Sequence, residues 1–254
     1  MRRALVCGAS GGIGRATAVA LAEKGVEVVA LARRLPRLLE LQSRIDAFGG
    51  PQATVLACDL SEPPTFVDAI NDVLSRGPIH ILINNSGGPS SGPLLQAGAE
   101  VFERAFAQHV LAAHRLTRML LPGMEIAGFG RIVNVISTSV REPIPNLGVS
   151  NTIRGAMASW AKSMSRELPP NITINNILPG FTDTGRLRRL RRQWALEKGV
   201  SEEELVASWL SQVPEGRLCD PSETAEAICF LASESSGYIR GVSLPVDGGR
   251  MRSI

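Results

Sequence analysis

The sequence predicts a single α/β domain on a doubly wound parallel sheet of seven strands, with helices on both faces. Three observations carry that prediction. Apolar runs of strand length recur along the chain without polar alternation, helical patterns fall between them, and the first run enters a glycine-rich turn that opens a helix. Strands covered on both faces read as continuous apolar runs, and right-handed crossovers then wind the chain doubly. With 254 residues, 44% of them hydrophobic, the chain is long enough for a well-buried core, and one domain spans 1–254.

The strands are ALVC (4–7), VVALA (28–32), TVLAC (54–58), IHILI (79–83), RIVNVI (131–136), ITINNIL (172–178) and VSLPV (242–246). Helical stretches start near Ile13, Pro36, Pro63, Ala99, Ser150 and Pro221. In the helix from Ser150, positions Ile153, Met157, Trp160, Met164 and Leu168 recur at helical spacing, Ser150 is placed to cap its start, and Arg154 lies one turn further on. That stripe serves an interface or an intramolecular core equally. The longest departure from the βα alternation is 181–216, an insertion before the last helix expected to form a helical lid.

Net charge is only +3, so any basic partner surface has to be local. One local run exists, GRLRRLRRQW, with Arg186, Arg188, Arg189, Arg191 and Arg192. Leu187, Leu190 and Trp194 give it an apolar stripe and Glu202, Glu203 and Glu204 follow, which predicts a lid helix neutralised by its neighbour and no nucleic-acid surface. Cys7, Cys58, Cys219 and Cys229 form no metal-ligand pattern and read as reduced core thiols. The N-terminus is too short in apolar residues for a signal peptide, and no apolar run reaches the length of a membrane span, so the expectation is a cytoplasmic protein without metal or membrane.

The turn CGASGGIGRA holds Gly8, Gly12 and Gly14. Glycines there let backbone amides approach a pyrophosphate, and the helix start supplies free N–H donors with a positive dipole end. The second strand ends in ALARRLPRL, where an acid would receive the ribose of NAD and an arginine the 2′-phosphate of NADP. Arg33 and Arg34 stand there, with no acid before Glu40. Such cations oppose the next helix's dipole unless a phosphate joins them, so NADP(H) is expected over NAD(H).

These residues resemble the short-chain dehydrogenase/reductase family, and the likeness covers nearly the whole chain. CGASGGIG (7–14) is similar to the family's glycine motif and implies cofactor contacts at Gly8, Ser10, Gly12, Ile13 and Gly14. CDL (58–60) is similar to its adenine-contacting segment, with Asp59 and Leu60. NNSG (84–87) looks like its NNAG motif, implying Asn85, Ser86 and Gly87. LPGFT (178–182) looks like the turn beside the nicotinamide, implying Pro179, Gly180 and Thr182, and SLPVDGG (243–249) also fits. The general outline looks most like the 3-oxoacyl-carrier-protein reductase branch, which implies a Rossmann-type fold and a homodimer or homotetramer.

Members of that family interconvert carbonyl and alcohol with an Asn-Ser-Tyr-Lys tetrad. The resemblance puts the serine at Ser137, but Ser150 at the tyrosine's place, Arg154 at the lysine's and His109 at the asparagine's. The chain has one tyrosine, Tyr238, far along in SGYIRG. An aliphatic hydroxyl is a far poorer acid than a phenol, and arginine cannot exchange protons near neutrality, yet its fork still binds ribose hydroxyls and offsets an oxyanion. His109 titrates near neutrality and offers a proton through Ser150 or water. Two functions follow as expectations: an NADP(H)-dependent oxidoreductase with an altered proton donor and an unidentified small-molecule substrate, acyl-carrier-borne or otherwise anionic, or a non-catalytic dinucleotide-binding sensor or partner subunit.

Overall fold

The computed structural model describes residues 1–253, so the last position of the expected domain lies outside the described residues. Seven parallel strands run in the order β3-β2-β1-β4-β5-β6-β7. They are β1 (Arg3–Cys7), β2 (Glu27–Ala32), β3 (Thr54–Ala57), β4 (Ile81–Asn84), β5 (Gly130–Val135), β6 (Ile172–Pro179) and β7 (Ser243–Val246). Residues of β1, β2, β4, β5 and β6 are buried almost throughout, which is why the apolar runs carry no alternation.

Helices α1 (Gly12–Glu23), α2 (Leu35–Asp46) and α9 (Pro221–Ala232) cover one face, through Ala18, Leu38, Leu41 and Ile228. On the other face lie α3 (Pro63–Ser75), α5 (Ala112–Ile126) and α6 (Gly148–Glu167), through Phe66, Ile70, Leu116, Leu120 and Ala161. Phe66, Leu116 and Leu120 are fully buried, and each such side chain contributes about 1.5–3 kcal/mol by leaving water. The order reverses between β1 and β4, and it is outside the carboxyl ends of strands at such a switch point that open α/β sheets bind ligands. A buried polar row crosses the sheet near there. Asn84 Nδ2 donates to Asn134 Oδ1 (2.8 Å), Asn134 Nδ2 to Asn176 Oδ1 (2.9 Å) and Asn176 Nδ2 to Ser243 Oγ (3.0 Å), tying β4 to β7.

Four local expectations change. The fourth strand begins at Ile81; Ile79 and His80 lead into it, with His80 N donating to Arg3 O (2.9 Å). The helix expected from Ala99 is α4 (Ala99–Phe106), which passes through a π-helical turn, Ala107–Leu111, into α5. Ser150 is no cap: α6 already runs from Gly148, Asn151 N donates to Leu147 O (2.8 Å), and the serine sits inside the first turn. Cys58 is not a core thiol, because β3 ends at Ala57 and leaves it half-buried at a cavity wall; Cys219 is also half-buried, while Cys7 and Cys229 are buried as expected. No helix among the described residues is long and apolar enough to cross a membrane, and none of their His, Cys, Asp and Glu side chains group into a metal site.

Candidate active site

One cavity of about 650 Å³ runs along the carboxyl ends of the central strands. At one end it meets the turn between β1 and α1. Gly8 has φ +64°, and a Cβ on it would lie 2.6 Å from Asn85 O. A Cβ on Gly14 would lie 2.5 Å from Gly8 O, so the turn closes only without side chains. Asn85 Nδ2 donates to Cys7 O (3.2 Å) and locks it from the β4 side. The α1 start has no side-chain cap and no acid in its first turn, which leaves amide donors for an anion.

Arg33 and Arg34 flank that turn differently. Arg34 donates to Ser10 Oγ (3.3 Å), beside the glycines, while an Arg33 guanidinium nitrogen lies 3.6 Å from Asp59 Oδ2. Burial acts to raise the Asp59 carboxyl, but hydrogen bonds from Ser61 and the charge of Arg33 outweigh it and hold it below its ordinary value. Ser10, Gly12, Ile13, Asp59, Leu60, Asn85, Ser86 and Gly87 all line this cavity with the two arginines. Gly14 does not; it acts from beneath, by letting the turn close. Pro179, Gly180 and Thr182 line the same cavity where β6 ends, with Gly180 packed so tightly on Asp247 that a Cβ would lie 2.8 Å from its Cα.

The other end holds Ser137, Ser150 and Arg154. Ser137 follows β5 and its Oγ accepts from Ser139 N (3.0 Å). Ser150 and Arg154, one turn apart on α6, share a helix face and are both buried. Arg154 donates to Val135 O (2.8 Å) and to Ser86 O (3.2 Å). Burial, then the charge of Arg186, push its guanidinium down to about 10, which still leaves it cationic at neutral pH.

His109 lies behind this wall, in the π-helical turn, and lines a separate small cavity that also touches Arg154. Its Nδ1 is 2.7 Å from Ser86 Oγ and its Nε2 is buried without a hydrogen-bond partner. Burial first and Arg154 second hold its pKa well below the ordinary value, so the ring is neutral near pH 7. The hydrogen-bonded neighbour of His109 is therefore Ser86, not Ser150. Tyr238 is fully exposed and lines neither cavity.

Residues 181–216 hold α7 (Gly185–Lys198) and α8 (Glu202–Leu210), packed on each other through Leu187, Trp194, Leu205 and Trp209. Phe181 stacks on Trp209 with ring centroids 5.2 Å apart, and Arg250 lies over the Phe181 ring at 4.7 Å while donating to Thr138 Oγ1 (3.2 Å). The role of Arg250 was not legible in the sequence, because it depends on the chain end folding back to Glu142, whose Oε1 accepts from Arg252 N and Ser253 N.

Residues 8–250 match the family model described as Enoyl-(Acyl carrier protein) reductase. The chain is 32% identical over 257 residues to the NADPH-dependent reductase BacG of Bacillus subtilis, covering all of this chain and 99% of that one. It is 33% identical to the 3-oxoacyl-[acyl-carrier-protein] reductase FabG of Vibrio cholerae over 250 residues, 97% of this chain and 96% of that protein. The crystal structure of YwfH, an NADPH-dependent reductase involved in bacilysin biosynthesis, superposes with a TM-score of 0.94 at 30% identity, covering 100% of this chain and 99% of that one. With the glycine turn, the strand order and the full-length match in agreement, the chain belongs to the short-chain dehydrogenase/reductase family.

Proposed function

We propose that this protein is an NADP(H)-dependent oxidoreductase that interconverts a carbonyl and an alcohol without a phenolic proton donor. The observation that carries this reading is the continuity of one cavity from the glycine turn and Arg34 to the hydroxyls of Ser137 and Ser150. The residues present fit the cofactor: side-chain-free glycines, uncapped α1 amides and two arginines where a 2′-phosphate would lie. The NADPH-dependent relatives agree with that choice. When bound, the nicotinamide supplies or accepts the hydride.

The chain's own residues then have four tasks. The α1 amides and Arg34 hold phosphates, and Asp59 and Leu60 border the adenine side. Asn85 to Gly87 and Pro179 to Thr182 flank the ring. Ser137 and Ser150 donate to the substrate oxygen. The Arg154 cation, buried beside them, offsets the negative charge that grows on that oxygen as carbon is reduced. The proton that completes the alcohol comes from water at the serine hydroxyls, because His109 is neutral and Arg154 keeps its proton. Absence of a positioned acid costs about 10²- to 10⁴-fold in rate, so turnover is expected to be slow. The 181–216 helices act as a lid over this end, and the protein assembles as a homodimer or homotetramer, which sedimentation would measure.

A second reading, a non-catalytic dinucleotide-binding protein, is favoured by one observation: both terminal nitrogens of Arg154 are engaged by main-chain carbonyls. Titration with NADPH and NADH, followed by a carbonyl screen read as loss of reduced-cofactor absorbance, separates the two. Oxidation of bound NADPH by any carbonyl supports the reductase. Tight NADPH binding without oxidation across the screen supports the second reading, and absence of NADPH binding overturns both.

A further inference from the structure

The arginines of α7 sort by face. Arg188 pairs with Asp183 at 2.6 Å, and Arg191 and Arg192 both meet Glu202. Arg188 and Arg192 are exposed and Arg191 is half-buried, and none of the three lines the cavity. Arg186 and Arg189, three residues apart and so on one helix face, line the cavity and make no ion pair among the described residues.

Arg186 is the better buried of the two. Its terminal nitrogens donate to Gly88 O (2.9 Å) and Pro89 O (2.8 Å) in the loop after β4. Those carbonyls orient the guanidinium but bring no net charge, and the fork has more donors than two acceptors use. Arg154 and Arg250 line the same half, whereas the one carboxylate in the cavity wall among the described residues, Asp59, stands at the cofactor end and is drawn to Arg33. Glu142 offsets part of the Arg250 charge from outside the wall. Two further donors here are buried without partners, Arg250 Nε and Trp194 Nε1. Like charges crowded in a half-buried wall repel, and an anion between them removes that cost.

We infer that the cavity takes a carbonyl compound carrying a second, anionic group, a carboxylate or a phosphate, and that Arg186 and Arg189 hold that group. The carbonyl part rests on the proposed reductase function; the anion site does not. The cofactor's own pyrophosphate is a poorer explanation of these cations. It belongs at the α1 start, whereas Arg186 is tied to Gly88 and Pro89 and stands close enough to Arg154 to press on its charge.

The test is calorimetric titration of the NADPH-saturated protein with three probes: levulinate, its uncharged methyl ester and inorganic phosphate, at low and at raised ionic strength. Levulinate or phosphate is expected to bind at least tenfold more tightly than the ester and to weaken with salt, and the stronger of the two anions tells carboxylate from phosphate. Changing Arg186→Gln with Arg189→Gln should remove at least tenfold of the anion affinity and leave the ester and NADPH within about threefold. Changing Arg188→Gln with Arg192→Gln, on the outer face, should leave all three probes unchanged. If the double variant does not fold, Arg189→Gln alone, at an exposed position, should still weaken the anion about threefold. Equal affinity for acid and ester, no binding of either anion, or a loss confined to NADPH would each overturn the proposal. Because the readout is binding, a failure here is distinct from a failure to oxidise NADPH.

Discussion

The two ends of the cavity are made of different material. At the end by the glycine turn, the proposed cofactor end, the groups offered to a ligand are the uncapped main-chain amides of α1, and Gly8 and Gly14 leave no room for a side chain. At the catalytic end the working groups are side chains on elements that would fold much the same with other residues. Ser150 and Arg154 occupy one face of α6 while Ile153 and Met157 hold that helix in the core. A site made of backbone cannot change without changing the turn, whereas a site made of side chains can lose its acid and keep its scaffold. The proposed function rests on this difference, since the glycine turn is present while the chain's one tyrosine, Tyr238, lies outside the cavity wall.

The largest effect tests the first half of that contrast. Gly14→Val would press a branched side chain into Gly8 O and Asn85 Nδ2, backbone and a locked amide that have no room to give. NADPH affinity should fall by at least about 10²-fold, with a lower unfolding temperature, both visible in one calorimetric series. Unchanged NADPH affinity would mean that the turn is not what holds the cofactor.

Next comes the catalytic end, where the double change Ser150→Tyr with Arg154→Lys should raise carbonyl reduction by about 10²-fold, by restoring a phenol beside an exchangeable amine. Each single change should do much less. The structure adds a cost. Arg154 donates to both Val135 O and Ser86 O, and a lysine that reaches only one leaves the other unsatisfied, at about 1–3 kcal/mol. Folding and NADPH binding must therefore be confirmed before rates are compared. A folded, cofactor-binding variant with no gain would mean that substrate positioning has changed as well.

A smaller effect separates the two arginines after β2. Arg34 reaches Ser10 beside the glycine turn, while Arg33 spends part of its charge on Asp59. Charged hydrogen bonds to a phosphate are worth about 1.5–3 kcal/mol, so Arg34→Ala should weaken NADPH ten- to a hundredfold. Arg33→Ala should weaken it less, and NADH should hardly respond to either. Equal wild-type affinities for NADPH and NADH would break the assignment.

The same division decides what could be read before folding. The seven strands were legible to within about two residues because each is a short run rich in apolar residues, buried in β1, β2, β4, β5 and β6 and half-buried in most of β3 and in β7, and the glycine turn was legible because steric need fixes residue type there. The start of α6 was not: Ser150 looks like a cap, but the helix opens at Gly148, two residues earlier, on contacts that only tertiary packing supplies. The asparagine row from Asn84 to Asn176 was invisible because its members lie on separate strands. Within the arginine run, neutralisation by Glu202 was foreseeable, but the division into paired Arg188, Arg191 and Arg192 and cavity-facing Arg186 and Arg189 depends on how α7 is rotated against the sheet. The assignment of His109 to Ser86 needed the π-helical turn, which shifts the side chain relative to a regular helix.

The smallest expected effect concerns charge at the catalytic end. Burial first and Arg154 second disfavour a proton on His109; the Gly87 main chain acts the other way, and Arg186 adds a smaller push in the first direction. Its folded pKa lies below the ordinary 6.5, so as pH falls through that value the unfolded chain takes up a proton that the folded chain refuses. The unfolded state then binds more protons, and stability is lost below about pH 6.5 at up to about 1.4 kcal/mol per pH unit for one such group. His80, also lowered by burial and by Arg2 and Arg3, adds its own slope. The wild type and His109→Gln should therefore both lose stability between pH 7 and 5.5, but the variant less, by roughly 1 kcal/mol or about 2–4 °C in Tm. At the cofactor end the nearest carboxyl, Asp59, moves the other way: hydrogen bonds from Ser61 and the charge of Arg33 outweigh burial and hold it below its usual value. Identical pH slopes for the two proteins would mean that His109 carries a proton in the folded state. The Ser86–His109 pair would then be a proton source one residue from the cofactor wall, and the catalytic end would hold an acid after all.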